Sequence, residues 1–320
     1  MLEHLSKKIT LNESAKKSSI IGLGNIAWKL DLRKRFSYTH AKAYFNHPNF
    51  HLTSGYSPDA NDRKAFTKSL GVRSYPNILE MIENEKPWIV SVCSPVEAHK
   101  DNFLELLSIG VDKFWLEKPA FENLTDMEEV LRELKKYPNV KVCVNFIRRF
   151  LEPFIFLKDY IKNHNVKRIV TTYSMGIKEN GIHVIDLIGF LLNIKEFELD
   201  FIDNTNLLNP SFKLVINNNC ACEFIGTDLK FHDICVTIFT DKDKIFIDNN
   251  LEIKFFEKAN SNKFSGNSNF VLKNVIPMSN AFNNYSDHVL DAINSESAFL
   301  ISNLETAKFS NQVIDMLVNK

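Results

Sequence analysis

No stretch of this 320-residue chain stays apolar for the roughly 20 residues that a membrane-spanning helix needs, so a membrane span is not expected. Surplus charge is missing too. The 39 Lys and Arg are balanced by 39 Asp and Glu, so there is no long-range field to draw in nucleic acid or anionic lipid, and neither is an expected partner. Cysteine is sparse: Cys93, Cys143, Cys220, Cys222 and Cys235 make an odd number in a long chain, which argues against a disulfide framework and agrees with a reducing compartment. The first 17 residues are polar and lysine-containing, without the apolar centre of a secretory signal, and the expected location is the cytoplasm. No internal repeat is visible.

What is present is ordinary globular material, 44% hydrophobic and 24% charged, in a length sufficient for two cores. The first part alternates short apolar runs with longer amphipathic stretches, the pattern of βαβ units around a parallel sheet. Strands are predicted at 18–21, 50–55, 88–93, 113–116 and 140–145, and helices at 40–45, 62–69, 78–83, 99–108 and 126–136. Thr125 and Glu128 have capping-box spacing at the start of the last helix. After residue 145 the texture changes. Helices are predicted around 154–163 and 183–192, and segments at 213–216, 221–225, 235–240, 244–248 and 251–256 set β-branched and aromatic residues between Asn, Asp and Gly, as in a mainly antiparallel sheet. Residues 258–269, rich in Asn, Ser and Lys, read as an exposed loop, and 286–319 return to helical spacing. The expected architecture is therefore α/β. A doubly wound Rossmann domain spans 1–145, and an α+β domain with an open sheet spans 146–320, its final helix able to pack back on the first.

Chemistry enters with Gly22-x-Gly24-x-x-Ala27, placed after the first strand. Gly22 permits a tight turn, Gly24 lets backbone N–H groups approach a pyrophosphate, and the small Ala27 allows close packing of a following helix. About ninety residues later, Glu117-Lys118-Pro119 follows a strand, so a lysine stands where ligands bind in open α/β sheets. A dinucleotide cradle and an amine at the end of a nearby strand are what hydride transfer at a nicotinamide requires, and together they point to a dehydrogenase. At the end of the second strand Ser57 occupies the position where an acid would select NAD, with Arg63 and Lys64 close behind and Asp59 between. NAD and NADP are both admissible there. The basic cluster Lys29, Arg33, Lys34 and Arg35 reads either as a solvated face or as an anion contact.

Five motifs in order, Gly22-Leu23-Gly24-Asn25-Ile26-Ala27, Cys93-Ser94-Pro95-Val96-Glu97-Ala98-His99, Glu117-Lys118-Pro119, Asn145-Phe146-Ile147-Arg148-Arg149-Phe150 and Gly181-Ile182-His183-Val184-Ile185-Asp186, give the chain a close resemblance to the glucose-fructose oxidoreductase/inositol dehydrogenase/rhizopine catabolism (Gfo/Idh/MocA) family over nearly its whole length. The resemblance implies oxidation or reduction of a sugar-like alcohol and a homo-oligomer, dimer or tetramer, associating through the open sheet. It implies Lys118 as the catalytic lysine, stabilising a developing alkoxide. His183 is implied as the acid/base histidine, and Asp186, three residues on along the helix, as the group that orients it. It places Gly22, Gly24, Asn25, Ile26, Ser57, Cys93, Ser94, Pro95, His99, Glu117 and Lys118 against the cofactor, and Lys118, Arg148, Arg149 and His183 against the substrate.

Two departures from the family pattern stand out: Ser57 replaces the commoner acid, and 28–38 is longer than usual, either a lid or a surface loop. Cys220, Cys222, His232 and Cys235 could be assembled into a zinc site, but their spacing is not a standard zinc pattern and no metal is expected. The same residues also serve a hydrolase or epimerase that retains its cofactor, which net cofactor consumption would distinguish, or a non-catalytic dinucleotide-binding protein.

Overall fold

The computed structural model describes residues 14–32, 37–194, 196–203, 205–217, 219–249, 251–260, 268–278, 280–297 and 300–318. The short apolar runs of the first part become strands β1 (Lys16–Ile21), β2 (Phe50–Tyr56), β3 (Arg73–Tyr75), β4 (Ile89–Val92), β5 (Lys113–Leu116) and β6 (Lys141–Val144). All pair parallel, in the order β3-β2-β1-β4-β5-β6. Every residue of β4 is buried, as expected of a strand covered on both faces. The amphipathic stretches become α1 (His40–Asn46), α2 (Ala60–Leu70), α3 (Ile78–Glu85), α4 (His99–Ser108) and α5 (Leu124–Leu134). Because β2 lies on one side of β1 and β4 on the other, the strand order reverses at β1, and a crevice opens there beyond the strand ends.

Two local expectations need correction. Helix α5 starts at Leu124, and its N-cap is Asn123, whose side chain accepts the Asp126 N–H at 2.8 Å; Thr125 is inside the helix. The glycine fingerprint leads into a five-residue π-helical turn, Asn25–Lys29, instead of a long α-helix. The chain is then drawn back by the buried Asp31 carboxylate, which accepts the Tyr38 and Thr39 N–H groups and the Thr39 hydroxyl at 2.6–2.8 Å. Thr39 in turn caps α1 through the Lys42 N–H. Lys29 pairs with Asp62 at 2.8 Å, while Arg33, Lys34 and Arg35 lie outside the described residues.

The described residues up to Ile147, with Asn283–Lys308, form one compact unit; Arg148–Phe282, with the described residues from Phe309, form a second. Within the first, α8 (Tyr285–Asn294) is tied to the chain before α1 by the Tyr285 hydroxyl, which donates to Tyr38 O at 2.8 Å. Ser302 likewise donates to Val144 O at 2.7 Å, at the end of β6.

The second unit holds α6 (Glu152–Ile161), β7 (Val166–Tyr173), α7 (Ile182–Leu192), β8 (Phe197–Asp203), β9 (Ser211–Ile216), β10 (Cys220–Gly226), β11 (Ile234–Thr240), β12 (Asp243–Asp248), β13 (Glu252–Asn260) and β14 (Ser268–Pro277). Its sheet order is β14-β13-β12-β11-β7-β10-β9-β8; β7 and β10 run parallel and the other pairings are antiparallel. Alternate residues of β9 to β12 are buried, so one sheet face is covered and the other open. Phe212 and Phe224 stack across this inner face with ring centroids 4.4 Å apart. Cys220 and Cys222 also point inward, their sulfurs 3.8 Å apart, while exposed His232 bonds Asn249. The segment expected as a loop at 258–269 is partly strand: β13 runs to Asn260 and β14 begins at Ser268, with 261–267 outside the described residues. Helix α9 (Leu304–Val318) is divided between the units after Lys308, and its Phe309 lies against Gly189 of α7, where a Cβ would come within 2.7 Å of the ring.

Candidate active site

Sequence motifs more than twenty residues apart become neighbours because each follows a strand of one parallel sheet. Gly22 N–H donates to Tyr56 O at 2.9 Å, Cys93 N–H to Ile21 O at 2.7 Å, Glu117 N–H to Val92 O at 3.0 Å and Asn145 N–H to Leu116 O at 2.8 Å. The ladder thus continues one residue past the ends of β1, β4, β5 and β6, and it aligns the glycine turn, the Cys93-Ser94 loop and the Glu117-Lys118 turn side by side.

Gly22 has φ +82°, and a Cβ there would fall 2.4 Å from Ser94 N, so this turn and the neighbouring loop can approach only because the residue is glycine. A Cβ on Gly24, in contrast, would meet nothing within 4 Å. Open space above the second glycine, next to the strand ends, fits a dinucleotide pyrophosphate. Beside it a cavity of about 260 Å³ is lined by Ile26, Cys93, Ser94, Val96, His99, Glu117 and Lys118. Six of these were expected at the cofactor; Val96 was not singled out. The volume is below the roughly 300–1,000 Å³ of pockets that enclose a whole small molecule, and suits one end of a dinucleotide.

The walls of this cavity are firmly held. Buried His99 bridges two turns, its ring nitrogens 3.0 Å from Ala120 O and 2.8 Å from Ser94 O; burial lowers its pKa against the opposing pull of these carbonyls. Burial, reinforced by the Glu117 charge, pushes the Cys93 thiol up, which disfavours the thiolate. Ser94 accepts from the Asn102 amide at 2.9 Å.

Glu117 is at the centre of a buried network that sequence reasoning missed. Oε1 meets His40 Nε2 at 2.9 Å and accepts from the Asn145 amide at 2.5 Å, and Oε2 accepts the Lys118 backbone N–H at 3.2 Å. Burial alone would raise this carboxyl; the His40 hydrogen bond, the Lys118 charge and the Asn145 amide outweigh it and hold the pKa below the usual value. His40 itself is fully buried, lies over Trp115 with centroids 3.8 Å apart, and has Nδ1 2.9 Å from Ser91 Oγ, which is 2.7 Å from the Tyr44 hydroxyl. In the sequence His40 reads only as the start of a helix; its partnership with Glu117, 77 positions away, exists through strand register alone.

Ser57 is at the end of β2, away from this cavity. It is buried, and its hydroxyl accepts the Asp59 N–H at 3.2 Å. Asp59 caps α2, accepting the Asn61 N–H at 2.6 Å. The Arg63 guanidinium donates to Ser57 O and Pro58 O at 2.6 and 2.8 Å, and with Lys64, Lys68 and Arg73 it lines an open basic cavity. Asn25 and Pro95 are exposed.

Within the second unit, His183 is partly exposed in the first turn of α7. Asp186, on the same helix, is buried and gripped by Arg149, whose Nε lies 3.1 and 3.0 Å from the two carboxylate oxygens and whose Nη2 is 2.8 Å from Oδ1. Ser310 adds a bond of 3.3 Å to Oδ1. The structure therefore pairs Asp186 with Arg149, where the sequence suggested His183 for the one and substrate for the other. Arg148 is buried as well, and burial pushes its guanidinium down to about 10 against the Asp186 charge. Its guanidinium lies 5.8 Å from the Phe282 ring centroid.

A doubly wound parallel sheet with a glycine turn and an open crevice at the strand-order reversal has the architecture of a dinucleotide-binding domain. The chain matches the model of the oxidoreductase family with an NAD-binding Rossmann fold, Gfo/Idh/MocA, over residues 16–146. It is 28% identical over 262 residues to glucose-6-phosphate 3-dehydrogenase of Bacillus subtilis, covering 71% of this chain and 68% of that one. Its fold is shared with UDP-N-acetylglucosamine 3-dehydrogenase of Acidithiobacillus ferrooxidans, at 12% identity, TM-score 0.74 and coverage of 95% and 96% of the two chains. It is shared too with a 3-ketoreductase of Actinomadura kijaniata solved with TDP-benzene and NADP, at 13% identity, TM-score 0.72 and coverage of 94% and 96%. Among the described residues no helix is long and apolar enough to cross a membrane.

Proposed function

We propose that the protein moves a hydride between the nicotinamide of NAD(P) and carbon 3 of a hexose carrying a phosphate or nucleotide group. The observation that carries this reading is the cavity in which Lys118 stands with Cys93, Ser94 and Glu117 beside the open glycine turn. The three relatives support the position and the substrate class: each is named for chemistry at position 3, one of them on a sugar phosphate and another on a nucleotide sugar. When bound, the nicotinamide supplies the hydride acceptor or donor. Lys118 then holds the reacting oxygen and stabilises its charge, and His183 takes or returns the hydroxyl proton. Asp186 acts through the helix it anchors to Arg149. The test is cofactor absorbance with glucose 6-phosphate, nucleotide-linked hexoses and the free hexoses. Turnover with the charged sugars, giving the 3-keto product, is expected; no net cofactor change with any of them would overturn the reading.

The end of β2 supports acceptance of NADP as well as NAD. Asp59 is engaged as a helix cap, and Arg63 stands beside the buried Ser57. Arg63→Ala should raise KM for NADP⁺ about tenfold, the value of one charge-assisted hydrogen bond, and leave KM for NAD⁺ within about twofold. Equal changes for both cofactors would remove Arg63 from that role.

A further inference from the structure

The hydrogen bonds behind Glu117 have a direction. Tyr44 is fully buried, burial pushes its phenol far above the ordinary value, and among the described residues its hydroxyl has one partner, Ser91 Oγ at 2.7 Å. A buried hydroxyl that fails to donate leaves a polar proton unsatisfied, so Tyr44 donates to Ser91. Ser91 Oγ is 2.9 Å from His40 Nδ1, and on a neutral ring whose Nε2 faces the Glu117 carboxylate, Nδ1 carries no proton, so it accepts from the Ser91 hydroxyl. With Nδ1 accepting, Nε2 carries the ring proton and donates to Glu117 Oε1 at 2.9 Å. A neutral ring protonated at Nδ1 would instead set the bare Nε2 lone pair against the Glu117 carboxylate and would no longer accept the Ser91 proton. Trp115, at 3.8 Å between centroids, fixes the ring plane. Glu117 is thereby held from one side by His40 and Asn145, and its other oxygen faces the backbone N–H of Lys118.

We propose that His40 is a positioning residue for the hydride-transfer site: fixed as its Nε2–H tautomer by the Tyr44 and Ser91 hydroxyls, it holds the Glu117 carboxylate, which in turn fixes the backbone turn and the charge environment of Lys118. The proposal rests on the reading of Lys118 as the group that stabilises the reacting oxygen. Its chemistry explains why a histidine with two distinct nitrogens is used: one must accept from a hydroxyl while the other donates to a carboxylate. Glutamine can reproduce both functions with its amide oxygen and nitrogen, and leucine can reproduce neither.

The experiment compares His40→Leu, His40→Gln and Ser91→Ala, each with and without Lys118→Ala, with kcat, KM and cofactor affinity measured separately. His40→Leu should lower kcat by about 10- to 100-fold, the scale of a displaced catalytic group, with KM within about threefold, and His40→Gln should recover most of that loss. In the Lys118→Ala background the loss on His40→Leu should shrink to within about twofold, because residues that act as a unit are not additive. A merely structural histidine would lower activity equally in both backgrounds and would not be rescued by glutamine; either result overturns the proposal. If His40→Leu fails to fold, Ser91→Ala, which removes only the hydroxyl that sets the tautomer, takes its place, and an unchanged kcat in that variant overturns the proposal. Should Lys118→Ala itself retain wild-type kcat, the reading of Lys118 fails. Should Lys118→Ala lose activity while His40→Leu behaves additively, the reading stands and the role of His40 does not.

Discussion

Lys118→Ala should lower kcat by about 10²- to 10³-fold, the range found when one pre-organised stabiliser of a developing oxyanion is removed. Among the described residues lining the cavity, Lys118 is the one cationic side chain, which the proposed mechanism sets at the reacting oxygen; the others offer apolar surface, a buried thiol, a hydroxyl, an imidazole engaged with carbonyls and a carboxylate. The ammonium interacts more strongly with an alkoxide than with a neutral hydroxyl, so its removal should act mainly on kcat, with KM within a few-fold. Lys118→Arg should be intermediate, since it retains the charge but replaces a compact donor by a planar fork. Neither change should unfold the protein: Lys118 is partly exposed at a strand end, a setting in which substitutions usually cost within about 0.5 kcal/mol. Steady-state kinetics with a thermal melt of each variant decide the matter, and an alanine variant within threefold of wild-type kcat would remove Lys118 from the mechanism.

The strand end that carries Lys118 was legible in the sequence because the parallel unit writes its structure in short, bounded apolar runs. The observed β5 and α4 have the boundaries read from the sequence, at 113–116 and 99–108. The fold class, a doubly wound parallel sheet followed by a mainly antiparallel one, was legible for the same reason. Elements without contrast were not. β3 has three residues, too few to show a period, and β14 is an exposed edge strand, so no buried face marks it. The cap of α5 was read two residues late because Asn123-x-x-Asp126 and Thr125-x-x-Glu128 are overlapping capping signals, and the structure uses the first. The network of Tyr44, Ser91, His40, Glu117 and Asn145 was invisible for a deeper reason. Its members are spread over α1 and the ends of three strands, and only the register of β4, β5 and β6 side by side and the course of α1 bring them together. Asp31 was missed in the same way, since a lone acid in a basic segment carries no signal of the three donors it will gather.

The largest stability effect is expected in the second unit, at Asp186. Both its oxygens are bound by Arg149 in a forked geometry, with the two side chains 1% and 5% exposed. Asp186→Ala keeps the guanidinium buried without its carboxylate, and breaking a buried pair by removing one partner costs about 3–5 kcal/mol. Replacing both, Asp186→Leu with Arg149→Met, should cost far less, because no uncompensated charge remains and the apolar volume is similar. A single interaction of this size is a large fraction of the usual 5–15 kcal/mol of a folded domain, so the alanine variant should also lose soluble yield. Asp186→Asn separates charge from shape: it retains the volume and one acceptor oxygen but leaves the guanidinium without a counter-charge, and it should fall between alanine and wild type. Because Asp186 and His183 share α7, kcat should follow the stability series only if the helix position matters to His183; a variant that melts earlier but turns over normally at a permissive temperature would confine Asp186 to folding. Urea unfolding followed by far-UV circular dichroism measures the series. A cost below about 1 kcal/mol for Asp186→Ala, the value of an exposed pair, would show that water reaches this ion pair and that the burial seen around it does not persist in solution.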